Sequence, residues 1–308
     1  MLKYILKRIL MFVPVLLAVT FIVYMILSFT PGDPAEMAAG SDATKEVIEE
    51  VRKNLGLDKP VLVQYFHYML GLIQGDFGTS YYSGQPVSIE LFARIPQTLK
   101  LASCALIVML VIAIPIGVIS ATHQYSAVDY GSTVFALTGV AMPNFWLGLL
   151  LIIVFALNLR ILPSGGSTGF SSIILPAITL GFTSAATIMR TTRSSMLEVI
   201  RQDYIRTAYA KGVSSGAVTI RHALRNALMP IVTTVGLSFG NMLGGSTVIE
   251  TVFSWPGLGR LVVDSIQRKD TPSVLGCLIV FCTIYSVVNL IVDLLYGFLD
   301  PRVKAMYQ

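Results

Sequence analysis

A chain of 308 residues with 54% apolar and only 13% charged side chains, a mean hydropathy of +0.73 and a net charge of +5 lacks the balance of a water-soluble domain, where about 25% of residues are charged. A soluble enzyme, a disordered chain and a nucleic-acid binder are excluded on that ground, and the basic excess is of the kind that loops of membrane proteins carry. Cys104, Cys277 and Cys282 all lie inside apolar runs, so no disulfide framework and no metal site is expected.

Crossing roughly 30 Å of hydrocarbon takes about 20 apolar residues in a helix. The first such run, 9–32, follows Lys3, Lys7 and Arg8. It is longer than a signal-peptide core and lacks a small-x-small cleavage site, so it reads as a retained first span. Residues 31–97 form a large segment between spans one and two. Within it, 42–54 predicts an amphipathic helix with Val47, Ile48 and Val51 on one face, capped by Asp42 or Thr44 and ended by Gly56. A second helix is expected after Pro60, carrying Val63, Phe66, His67 and Leu70. A segment of this size can cover a pore mouth or meet an external partner.

Spans two and three are expected at 101–122 and 130–159. A Pro-Ser-Gly-Gly loop at 163–166 precedes span four at 171–189. The next segment, 190–226, is basic and apolar at once. Asp203 can cap a short helix with Ile205, Ala208 and Tyr209 on one face. Gly212 stands where a terminating residue turns left-handed. Ser214 or Ser215 then caps a second helix, with Arg221 and Arg225 one turn apart, running toward Pro230. Span five is expected at 226–249 and span six at 271–292. Gly236, Gly240 and Gly244 form a double GxxxG ladder on span five, for internal packing or for contact with a partner helix. Ser238, Asn241, Ser246 and Thr247 on the same span are candidate polar contacts along a translocation path.

Orientation follows from the basic residues of short loops. With the N-terminus inside, twelve fall on the cytoplasmic side: Lys3, Lys7, Arg8, Arg190, Arg193, Arg201, Arg206, Lys211, Arg221, Arg225, Arg302 and Lys304. Four fall outside, Arg160, Arg260, Arg268 and Lys269. Both termini are therefore expected in the cytoplasm. The chain then divides into a cytoplasmic N-terminus with span one (1–30), an extracytoplasmic segment (31–97), a five-span core (98–300) with its loop at 190–226, and a cytoplasmic tail (301–308).

Enzymatic readings fail on their missing parts. Asp76-Phe77-Gly78 stands without the other kinase motifs. No GxxxxGK[ST] phosphate loop is present, so no ATP is expected on this chain. Gly244-Gly245-Ser246 has no histidine on a nearby span, since His67, His123 and His222 all fall in loops. An ion-coupled secondary transporter, the rival of another class, needs ionisable groups near mid-membrane. Glu250 and Asp293 lie toward span ends instead.

Residues 204–212, Tyr-Ile-Arg-Thr-Ala-Tyr-Ala-Lys-Gly, followed by Arg-His-Ala-Leu-Arg-Asn-Ala-Leu-Met-Pro at 221–230, resemble the EAA loop of bacterial ABC importer permeases. More narrowly they resemble the dipeptide, oligopeptide and nickel permease family, in the subunit type with a large first outside loop. Four further stretches agree in order: Pro-Gly-Asp-Pro at 31–34, Gly-Asp-Phe-Gly-Thr-Ser at 75–80, Leu-Pro-Ser-Gly at 162–165 and Phe-Ser-Trp-Pro-Gly-Leu-Gly-Arg at 253–260. The Glu-Ala-Ala positions of the broader pattern become Arg206-Thr207-Ala208, a departure the peptide branch shares.

The resemblance implies an all-α polytopic membrane protein with six transmembrane helices and a type I ABC importer permease fold, in the bacterial cytoplasmic membrane. Its function would be import of di- or oligopeptides, with glutathione or a nickel chelate as the alternative cargo. The implied partners are a second homologous permease, two ABC ATPase subunits that bind ATP and magnesium, and an extracytoplasmic substrate-binding protein, besides the lipid bilayer. The helix at Asp203–Lys211 with Gly212 would be the coupling helix, seated on an ATPase through Asp203, Ile205, Arg206, Ala208, Tyr209 and Lys211.

Overall fold

The structure, a computed structural model, describes residues 2–40 and 42–299; the expected tail 301–308, with Arg302 and Lys304, lies outside them. Among the described residues every regular element is a helix, apart from one isolated bridge between Thr79 and Pro86. They group into two compact units. One runs to Thr98 and takes in Trp255–Ser286. The other holds Leu99–Ser254 and the residues from Val287 on. The division falls inside two helices, α5 (Val87–Thr122) and α13 (Thr271–Leu299).

The first unit opens with α1 (Leu2–Phe29), then α2 (Pro34–Ala39), α3 (Lys45–Asn54) and α4 (Val61–Ile73). The short α2 was not expected. Asp33 caps it by accepting from Ala35 N at 3.0 Å, and Pro34 occupies the first helical position, where its missing N–H costs nothing. Of the two candidate caps of α3, Thr44 does the capping and Asp42 lies outside the helix. Gly56 adopts φ +68° just beyond its end. Arg52 on α3 pairs with Asp33, and that hydrogen bond raises the guanidinium pKa further above its ordinary value. On α4 the buried residues are Tyr65 and Met69, whereas Val63, Phe66 and Leu70 are exposed.

The Phe-Ser-Trp-Pro-Gly-Leu-Gly-Arg stretch leads into α12 (Leu258–Gln267), also unforeseen. Trp255 is fully buried, with its indole N–H donating to Gln97 O at 3.0 Å, and Leu258 N donates to Thr98 Oγ1 at 2.8 Å. Leu258 and Leu261 then pack with Val87, Leu91 and Cys277 in an apolar cluster. The buried carboxylate of Asp270 fastens residues 80–81 to the start of α13. It accepts from Ser80 Oγ (2.5 Å), Ser273 Oγ (2.7 Å) and Tyr81 N (3.0 Å).

In the second unit α8 (Ser171–Ile200) is the central helix. It packs against α6 (Ala127–Ala141), α7 (Asn144–Leu151) and α11 (Arg225–Val252). Small side chains along it, including Ala177, Gly181, Ala185 and Ala186, are buried and let neighbouring backbones approach, as membrane helix contacts require. α8 also runs on past the expected end of span four, so residues 190–200 are helix rather than loop.

Among the described residues five helices are long and apolar enough to cross a membrane: Ile5–Phe29, Val87–Thr122, Ser171–Ile200, Ser215–Val252 and Thr271–Leu295. The third expected span is not one continuous rod. It is broken into Ala127–Ala141 and Asn144–Asn158, bent by 105°. The cause is Pro143, whose ring pushes the preceding residue out of the helical region. Met142 takes ψ 121° and Pro143 ψ 136°, two extended residues in sequence. The second piece, α7, ends in a π-helical turn, Ile152–Asn158.

Candidate coupling site and translocation face

α8 stops at Ile200, and Arg201 and Gln202 carry the chain into α9 (Asp203–Ala210). Gln202, extended at ψ 148°, is the N-cap but makes no side-chain capping bond; its amide Nε2 donates back to Glu198 O at 3.4 Å. Asp203 is therefore not the cap but lies in the first turn, where its negative charge favours the helix dipole. At the other end Gly212 has φ +78°. Gly212 N donates to Tyr209 O at 2.9 Å and Val213 N to Ala208 O at 3.2 Å, the paired bonds of a Schellman termination.

The faces of α9 differ from expectation at one residue. Ile205 and Ala208 are buried, at 1% and 7% exposure, against the chain's own π-helical turn Val218–Leu224. Tyr209 is 48% exposed and does not share their face. The apolar pair thus holds α9 onto its own unit, while Tyr204, Arg206, Thr207, Tyr209 and Lys211 face outward. The expected second loop helix is not separate either. α10 (Ser215–Ala217) passes through that π turn directly into α11, with Arg221 and Arg225 exposed along it.

A polar cluster that sequence reasoning missed lies in the same unit. Arg193 on α8 grips Asp129 with two hydrogen bonds, Nε to Oδ1 at 2.6 Å and Nη2 to Oδ2 at 2.9 Å. Ser120 Oγ adds a bond to Oδ1 at 2.5 Å and Tyr125 N one to Oδ2 at 2.9 Å. Asp129 is only 4% exposed. The bidentate pair joins the ends of α5 and α6 to α8, the helix that leads into α9. The signal in the sequence is a lone acid between two long apolar runs; Arg193 shows there only as a loop charge.

The candidate path residues of α11 separate. Asn241 is exposed in line with Leu237, Gly244, Val248 and Thr251, an open face at helical spacing. Ser238 and Thr247 are half-buried beside it. Ser246 points the other way: it is fully buried, and its hydroxyl donates to Leu243 O (2.8 Å) and lies 3.3 Å from Glu250 Oε1. The glycine ladder divides likewise. Gly236 and Gly240 are buried, and a Cβ on Gly236 would collide with Val292 of α13. At Gly244 a Cβ would meet nothing within 4 Å.

Apolar helices long enough to cross a membrane, with α8 packed through small residues on α6, α7 and α11 and the short amphipathic α9 exposed after it, mark a multi-pass membrane protein. The family described as "Binding-protein-dependent transport system inner membrane component" matches residues 113–305, and its N-terminal companion matches residues 1–102. The chain belongs to this family: it is the inner-membrane permease component of an ABC importer. It is 43% identical to the glutathione transport system permease protein GsiC of Salmonella choleraesuis (strain SC-B67) and 42% identical to that of Escherichia coli (strain K12), over 99% of either chain in both comparisons. Among solved structures it resembles an inward-facing form of the MetNI methionine ABC transporter (TM-score 0.58, 17% identity, 68% of this chain and 96% of that one). It also resembles an amino acid ABC transporter with histidines (TM-score 0.55, 14% identity, 68% and 94%). These likenesses establish the type I importer permease fold. The ion-coupled alternative falls with the family assignment.

Proposed function

We propose that this permease imports small peptides, with the tripeptide glutathione as its principal cargo, and that it forms the path together with a second, related permease. The observation that carries this reading is the 43% identity to glutathione permeases over 99% of both chains. The open face of α11 with Asn241, Gly244 and Thr251 is the surface this reading gives to the path, flanked by Ser238 and Thr247; Ser246, turned inward, is left out. Two ATPase subunits bind and hydrolyse ATP with magnesium on the side of α9, and an extracytoplasmic binding protein delivers the cargo. Both termini then lie in the cytoplasm.

The outward side chains of α9, chiefly Arg206, Tyr209 and Lys211 with Asp203 at the start and Gly212 at the end, form the ATPase-docking surface. Ile205 and Ala208 act beneath it by fixing the helix to the chain. Nucleotide-driven movement of the ATPases then biases a two-state bundle through α9 and the helices on either side of it.

The test is uptake into liposomes by the transporter assembled with its partner subunits. Labelled glutathione is expected to be taken up with ATP and not without it, ahead of dipeptides and nickel chelates. The permease alone is expected to transport nothing. Preference for nickel chelate, or uptake by the isolated chain, overturns the reading.

A further inference from the structure

We infer that α4 lies in the membrane, embedded in the leaflet where α1 ends, with its stripe Leu62, Phe66, Leu70 and Ile73 against lipid acyl chains. The sequence places this helix in an aqueous segment. The contacts of Tyr65 place it elsewhere. Its hydroxyl donates to Leu17 O at 3.1 Å and lies 3.1 Å from Thr20 Oγ1. The apolar span of α1 is Ile5–Phe29, so Leu17 is its middle residue. Twelve residues of helix separate Leu17 from Phe29, about 18 Å along the axis. A tyrosine side chain accounts for only part of that depth, so the backbone of α4 runs below the end of the span.

A second bond fixes the level. Tyr24, five residues or about 7 Å inside the end of α1, donates to Gln64 Oε1 at 2.8 Å. The ring of Tyr65 packs edge-on against Phe21, with centroids 5.3 Å apart. This is the depth of a helix lying in the boundary between headgroups and acyl chains, about 5–10 Å in.

The surface of α4 has three sectors that fit such a position. Tyr65 and Met69 are buried with Tyr24 and Leu275, and Leu72 packs beside them. Gln64, His67, Tyr68 and Gly71 line an open cavity of about 420 Å³ that also takes in Lys53, Lys59 and Asp76. The remaining sector, Leu62, Phe66, Leu70 and Ile73 at i, i+4, i+8 and i+11, is uniformly apolar and 52%, 62%, 59% and 82% exposed. Four large apolar side chains in line do not face water at equilibrium, and a 13-residue apolar helix is of the length that interfacial and re-entrant segments have. The occupant follows from continuity. At the same level α1 itself exposes Leu17, Phe21 and Ile22, residues of a span whose surroundings are lipid.

The experiment uses the assembled transporter in liposomes, with the three native cysteines replaced and one new cysteine at Phe66, Leu70 or, on the cavity side, His67. Each is labelled with bimane in vesicles containing doxyl-labelled phospholipid. Quenching at positions 66 and 70 is expected to exceed that at 67 by about threefold, and a charged maleimide is expected to label 66 and 70 about tenfold more slowly. Should either variant fail to assemble, Leu62→Cys and Ile73→Cys report on the same stripe. Labelling as fast as at 67 places the stripe in water and overturns the inference. Absence of both labelling and quenching places it under another protein subunit and overturns it equally.

Discussion

Among the described residues each unit buries one aspartate, and the two are satisfied in different ways. Asp270, 3% exposed, accepts from neutral donors among the described residues: two serine hydroxyls and a backbone N–H. Asp129, 4% exposed, adds to a serine and a backbone N–H the guanidinium of Arg193. Hydroxyls can rotate to serve a changed acceptor, whereas a guanidinium has no acceptor and cannot. The Asp270 site is therefore tolerant of losing its charge. The Asp129 site is not, because removing the acid strands a cation. The charged version stands in the unit that carries α9; the neutral version staples chain segments whose geometry it fixes.

Removing Asp129 gives the largest expected effect. A stranded partner of a buried pair costs about 3–5 kcal/mol. Arg193 retains 30% exposure, so Asp129→Ala should destabilise by about 3 kcal/mol, measured by denaturant unfolding of the purified permease in detergent. In a cycle with Arg193→Ala the double variant should be less than additive by at least about 1 kcal/mol. Additive losses would show that the pair contributes no coupling and would erase the contrast with Asp270.

Ala208→Glu comes next. It forces a carboxylate into the seam between α9 and the π turn, at a cost of about 2 kcal/mol. Because that seam belongs to the permease itself, the variant should loosen α9 even before an ATPase binds. Faster hydrogen exchange over 203–212 in the isolated permease is the readout, and unchanged exchange would return Ala208 to the docking surface.

Asp270→Asn should cost only about 1 kcal/mol, since Ser80 and Ser273 can turn to donate or accept. A loss as large as that of Asp129→Ala would break the comparison from the other side.

The smallest change in stability is expected at Gly212. A Cβ there meets nothing within 4 Å, so only the left-handed backbone resists substitution. Gly212→Asn, which tolerates that conformation, should cost a few tenths of a kcal/mol, and Gly212→Ala about 1 kcal/mol. Gly212→Asp should insert normally yet lose ATPase binding or coupled uptake, because it adds a charge to the proposed docking surface. Normal ATPase binding and uptake in Gly212→Asp would remove this loop end from the mechanism.

Much of this molecule is determined by its sequence alone, for reasons of solvent. Lipid tolerates no unpaired backbone, so runs of about 20 apolar residues fix where helices lie without reference to neighbours. The chemistry of individual residues is just as local: a glycine before Val213 ends α9, and Thr44 starts α3. What tertiary structure alone decided is which side of each helix meets protein. In a membrane both the packed and the lipid-facing sides are apolar, so hydrophobic periodicity carries little information about direction. That is why Tyr209 parts from Ile205 and Ala208, and Ser246 from Asn241. The break in span three, at Pro143, could be marked but its 105° bend could not be measured from residues. The partner of Asp129 lies 64 positions away, and no local pattern announces a contact made only when α6 and α8 pack.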